Sequence, residues 1–106
     1  CLEVKGGQIE YDGRNDKWYQ NGKEMRRGPD RQSSSAMYSV LAFLGTEARN
    51  VNVGWGVCFP DCCLPRNFQP PSGLVDPAII DQKRLNKVTD SIQGLGNYYV
   101  SLLPPD

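Results

Sequence analysis

Histidine is missing from all 106 residues. That absence removes the side chain most often used as a general base and as a metal ligand near neutral pH. A Ser-His-Asp or Cys-His arrangement cannot be built within this chain, and zinc would need cysteines and carboxylates alone. Net charge is missing too: 12 basic residues stand against 12 acidic ones. The densest basic run, Lys23 to Arg31, is diluted by Glu24 and Asp30 and reads as a solvated loop, so no nucleic-acid partner is expected. No apolar run approaches the roughly 18 residues of a membrane span, and no Asn-x-Ser/Thr sequon occurs. Apolar residues make up only 39%, a thin supply for a self-sufficient core. A chain that opens Cys1-Leu2-Glu3 without an initiator methionine or a signal peptide reads as processed or as part of a longer protein.

What the sequence does have is concentrated at Gly54 to Pro65. Three of the four cysteines, Cys58, Cys62 and Cys63, fall within six residues there. Pro60 between them blocks a helix and favours a sharp turn. A bond between the neighbours Cys62 and Cys63 is strained, which leaves two pairings: Cys58–Cys63 with Cys1–Cys62, or Cys58–Cys62 with Cys1–Cys63. The short loop would contribute about 2 kcal/mol and the long one about 4 kcal/mol by chain entropy. Structural disulfides imply an oxidising compartment, extracellular or luminal. Four-cysteine zinc fits poorly because the close ligands do not form two separated pairs. Arg66 is the nearest cation, too little to make a redox thiol. No cofactor is expected.

The remaining pattern suggests one α+β domain over 1–106: a short antiparallel sheet, one helix in the C-terminal half and the disulfide staple. Leu2 and Val4, then Ile9 and Tyr11, read as two strands about Gly6-Gly7. Asn21-Gly22 is a hairpin turn. Residues 27–35 read as loop, and the nearly continuous apolar run Ala36 to Leu44 as a buried strand. Val51, Val53, Trp55 and Val57 alternate as a strand that delivers Cys58 into the turn. Asp76-Pro77 opens a helix whose Leu85, Val88 and Ile92 should be buried, with Lys83, Lys87 and Asp90 exposed, ending at Gly94 or Gly96. Residues 97–103 read as a last strand, stopped by Pro104-Pro105. Asp12, Asn15 and Asp16 lack the spacing of a cation loop and read as a polar turn.

Gly56-Val57-Cys58-Phe59-Pro60-Asp61-Cys62-Cys63 resembles the signature of the extracellular N-terminal domain of the nose-resistant-to-fluoxetine proteins: Gly-Val-Cys, an apolar residue, Pro, two more residues and Cys. Cys1-Leu2 looks like that family's early Cys-Leu. Tyr38-Ser39-Val40 stands where the family tends to carry a cysteine, so Ser39 departs from the pattern and Cys62 is an extra cysteine. The resemblance covers residues 1–65 through three short motifs. It implies that Cys62 takes over as the partner of Cys1, and that the module precedes a multi-pass acyltransferase-like membrane domain. It supplies no catalytic residue.

The function expected from these features is a non-catalytic extracellular or luminal interaction or assembly module, bound to a protein partner or a neighbouring domain. A short turn lies at a surface, and rigid aromatic groups lose little entropy on contact. Phe59, Pro60 and Leu64 are therefore the expected contact residues. A small secreted hydrolase working through carboxylates is the alternative. A fibre or coat subunit, marked by a long exposed edge strand, is a third reading.

Overall fold

Asn21 and Gly22 form the turn their chemistry favours. Both have positive φ, 51° and 81°, as a type I′ hairpin requires. The computed structural model describes residues 1–103, and these contain six strands and three α-helices. In chain order they are β1 (Leu2–Val4), β2 (Ile9–Asp12), β3 (Lys17–Gln20), β4 (Lys23–Glu24), α1 (Pro29–Leu44), β5 (Gly56–Phe59), β6 (Ile79–Asp81), α2 (Gln82–Leu85) and α3 (Val88–Ser101). The Asn21-Gly22 turn joins β3 to β4, and β2 completes an antiparallel meander. The expected antiparallel sheet is therefore present.

A second sheet was not foreseen. It is parallel, with β5 in the middle and β1 and β6 on its flanks. Thus β1 and β2 do not pair with each other across Gly6-Gly7: β1 pairs with β5, 54 residues further on, and β2 turns to the meander. The central strand of a parallel sheet loses solvent on both faces, and all four residues of β5 are buried. Alternation puts Val57 and Phe59 on one face, where Phe59 stacks near Trp18 at 5.7 Å between ring centroids. Trp18 also meets Tyr11 and Phe68. This aromatic group, with Ile9, Leu74, Ala78 and Ile79, is the core joining the two sheets.

Residues 27–44 depart most from expectation. The apolar run Ala36 to Leu44 belongs to α1, not to a strand. Its limits were signalled by a bracket: Pro29 at the first helical position and Gly45 just past the end, with Asp30 in the first turn. Between Pro29 and Gly45 no further Gly or Pro intervenes, and sixteen residues without a break suit a helix better than a strand. The opposite happened after Asp76-Pro77. The proline opens only one 3-10 turn, and the β-branched pair Ile79-Ile80 leaves it to pair beside β5. Asp81 then starts α2, accepting a hydrogen bond from the Arg84 N–H at 3.1 Å. Residues 97–101 continue α3 rather than forming a strand. Pro104 and Pro105, expected to stop it, lie outside the described residues.

The burial expected along the C-terminal helix is likewise corrected. Leu85 is half-buried, but Val88 and Ile92 are exposed. Lys83, Lys87 and Asp90 are exposed as expected. Instead α3 packs through Leu95, which lies against the core, and Tyr99, whose hydroxyl donates to the Trp55 carbonyl at 2.9 Å. Gly94 and Gly96 do not end the helix but sit inside it, and a Cβ on either would meet nothing within 4 Å. Replacing each by alanine is therefore expected to stabilise the protein by about 0.4–1 kcal/mol through lower unfolded-state entropy. Chemical denaturation checks this; a loss of stability would mean that α3 is not helical there.

Candidate interaction surface

The cysteine-rich turn is built differently from its sequence-based reading. β5 runs on through Phe59, which is opposite Asp81, so the chain turns only at Pro60-Asp61. Phe59 was expected at least partly exposed; it is 0% exposed and belongs to the core. Pro60 and Leu64 are half-buried, and Leu64 packs against the core as well. The proposed contact triad is thus one buried residue and two partly covered ones. The error came from ending the strand at Cys58: one more strand residue on the inward face buries Phe59.

All four cysteines are free thiols. Cys58 and Cys62 are buried, while Cys1 and Cys63 are exposed. The parallel register places Cys1 beside the Trp55 end of β5, since Leu2 stands opposite Gly56. Cys58 lies three residues further along, about 10 Å at the usual strand rise, where a disulfide needs Cα atoms within about 7 Å. Cys62 is past the other end, its carbonyl accepting from Gln82 N–H. The fold does not bring Cys1 to the 58–63 turn. Hydrogen bonds hold this turn in place of a staple. Asp61 Oδ2 accepts from Gly7 N–H at 2.7 Å, and Asp81 Oδ2 accepts from Leu64 N–H at 3.2 Å. Burial pushes the Cys58 thiol above its ordinary pKa, which makes it a poor nucleophile.

Exposed apolar surface is found elsewhere, on α3 and the turn after it (Val88, Ile92, Val100, Leu102 and Leu103) and, with the most exposed aromatic side chains, on α1. Phe43 is 89% exposed and Tyr38 66%, and Val40 is exposed beside them. The buried residues of α1 are Pro29, Asp30 and Ser33, all in its first turns. There Ser33 Oγ donates to the Cys1 carbonyl and accepts from the Gly56 N–H, which ties the helix to β1 and β5. In the second half Tyr38, Val40 and Phe43 are uncovered, while Met37, Leu41 and Leu44 are half-buried. Between Arg31 and Glu47 no residue carries a charge. Sequence reasoning found these residues but gave them the wrong element and the wrong environment. The useful signal was a long apolar run holding serines and alanines with no alternation.

Carboxylates also meet in one place. Asp16 and Asp30 line a cavity of about 440 Å³ together with Tyr11, Arg31, Ser34 and Trp55. Asp16 accepts from Tyr11 Oη at 2.8 Å and pairs with Arg31 at 2.9 Å. Among the described residues no group of three or more Cys, Asp or Glu side chains is arranged to hold a metal, and no helix is long and apolar enough to cross a membrane. Comparison of the chain with protein-family models, with curated proteins and with solved structures returns no match.

Proposed function

We propose that this chain is a non-catalytic interaction module that assembles with a second copy of itself through the second half of α1. The observation that carries the reading is Phe43, 89% exposed within a stretch, residues 32–46, that contains no charged residue. Large apolar side chains clustered on a surface mark contact sites. The accessible surface is 7326 Å², roughly 1,400 Å² more than a compact monomer of this size exposes. The radius of gyration, 14.5 Å, exceeds the roughly 13 Å of a compact chain of this length. A standard interface removes about 800 Å² per partner, so the excess is large enough for one. A second copy suits the charge pattern, because two uncharged helix faces meet without repulsion and the chain has no net charge to oppose association. A membrane surface suits it less, since interfacial helices carry Lys and Arg on their polar face.

The extracellular or luminal setting belongs to this proposal and rests on the resemblance of residues 56–63 to the nose-resistant-to-fluoxetine signature. Cys58–Cys63 keeps that spacing, and its oxidation would close only a local loop. The hydrolase reading has less support: Asp16 is engaged by Tyr11 and Arg31, which leaves Asp30 without a second free carboxylate in the cavity. The fibre reading called for a long edge strand, and the strands are two to four residues long.

Sedimentation velocity tests the proposal. The wild-type protein should shift from monomer to dimer between micromolar and high micromolar concentration. Phe43→Glu, at a side chain that is almost fully exposed, should keep its circular dichroism spectrum and remain monomeric. A wild type that stays monomeric throughout, or a Phe43→Glu variant that associates equally well, overturns it.

A further inference from the structure

Asp30 is a largely buried residue whose carboxylate has no hydrogen-bond or ion-pair partner among the described residues. It is 8% exposed, and the ion pairs among the described residues are Lys5–Glu3, Lys17–Glu24, Arg31–Asp16 and Arg84–Asp76. No described side chain or backbone N–H is hydrogen-bonded to it, whereas Asp12, Asp16, Asp61, Asp76 and Asp81 each accept at least one hydrogen bond. Among the described residues the buried side-chain polar atom left without a partner is Trp18 Nε1 and not an Asp30 oxygen, so the carboxylate still reaches solvent through the cavity it lines. The N-terminal end of α1 favours a negative charge at Asp30 through its dipole but makes no hydrogen bond to it. Beside it, Trp18 Nε1 is a buried donor without an acceptor. Asp30 Oδ1 lies 2.5 Å, and Trp18 Nε1 2.9 Å, from the point where a Cβ on Gly28 would stand. Both groups are thus left open around a residue that leaves them room.

Asp30 lines the cavity of about 440 Å³, and a second one of about 210 Å³ shares Asp16, Asp30 and Arg31 with it and adds Trp18, the cations Lys17, Arg26 and Arg27, and Glu24. Around the larger cavity the charges are Asp16, Arg31 and Asp30. The first two form an ion pair, which leaves Asp30 as the remaining charge in the lining of the larger cavity, together with the aromatic side chains of Tyr11 and Trp55. Burial and the neighbouring Asp16 push the Tyr11 hydroxyl up to about 12, and the Asp30 charge acts in the same direction. Tyr11 is therefore a neutral ring at any physiological pH, close enough to feel Asp30.

We propose that this cavity binds one guanidinium group, the side chain of an arginine on a ligand or partner, with Asp30 as its counter-ion and Tyr11 and Trp55 as its aromatic walls. A planar guanidinium is weakly hydrated, pairs with a carboxylate through two parallel N–H bonds and stacks on aromatic faces. It meets each unfilled demand of the cavity: one positive charge, donors for Asp30 and a flat surface for the rings. A compact metal ion would find one free carboxylate only. This site is independent of the α1 surface and stands or falls separately.

The test is titration of the full chain with N-acetyl-arginine amide, followed by indole fluorescence and by two-dimensional NMR. Saturable binding in the millimolar range or tighter is expected, with shifts at Trp18, Trp55 and Asp30. N-acetyl-lysine amide should bind at least severalfold more weakly, and N-acetyl-glutamine amide not at all. Asp30→Asn should lose binding at least tenfold while keeping the circular dichroism spectrum of the wild type. Arg31→Gln, which leaves the cavity more negative, should bind more tightly. No saturable binding by the wild type overturns the proposal. Equal binding by Asp30→Asn, or weaker binding by Arg31→Gln, overturns it as well.

Discussion

Replacing Phe59 by alanine is expected to cost about 3–5 kcal/mol of stability, the usual range for truncating a fully buried phenylalanine. That is a large share of the 5–15 kcal/mol available to a domain of this size. The ring is completely buried on the central strand beside Trp18 of the meander, in a core cluster that also takes Leu74 and Ala78 from the segment before β6 and Ile79 from β6 itself. With 39% apolar residues and two helices half out of the core, little material is available to collapse into the void. The cavity cost should therefore be near its full value. Urea denaturation of wild type and variant gives the number. A loss below about 1 kcal/mol would show that Phe59 is at the surface after all.

A methyl group at Gly54 should cost about 1–3 kcal/mol through overpacking. The ring of Tyr99 occupies the place a Cβ would take, and its hydroxyl is held by the Trp55 carbonyl one residue further on. The ring therefore cannot slide away without breaking that bond or lifting α3. The prediction becomes sharper as a double-mutant cycle. Tyr99→Ala removes the obstacle, so Gly54→Ala in that background should be close to neutral, with a coupling of about 1 kcal/mol or more. Additive losses would mean that α3 does not pack on the strand at this point.

Local chemistry was readable in the sequence and long-range partnership was not. Asn21-Gly22 specified its hairpin because both residues accept positive φ, a requirement settled within four residues. Ile9 is buried as its alternation suggests, whereas residues 51–55, expected in the strand that contains Val57, lie outside β5 and Val51 is exposed. The parallel pairing of Leu2–Val4 with Gly56–Phe59 leaves no comparable mark, since a crossover of about 50 residues contributes no turn signature. Ala36 to Leu44 was misread because a continuous apolar run fits a buried strand and a helix alike. The Pro29 and Gly45 brackets decide the matter, and they flank the run instead of lying in it. The cysteines misled for another reason. Close spacing made a staple plausible, but the register that parts Cys1 from Cys62 and Cys63 is a property of the sheet. The candidate cavity was invisible for the same cause, because Tyr11, Asp30 and Trp55 meet only after three elements have folded together.

The central claim is that the second half of α1 is a folded helix whose apolar side chains are covered by a second copy. Amide hydrogen exchange of residues 36–44, followed across protein concentration, tests it most directly. In dilute solution this stretch should exchange faster than β5, since its hydrogen bonds lie on a projecting helix with few buried contacts. Its protection should rise with concentration, in step with the mass seen by sedimentation, while β5 stays unchanged. Exchange of residues 36–44 that does not vary with concentration, or concentration-dependent protection confined to other segments, would contradict the account.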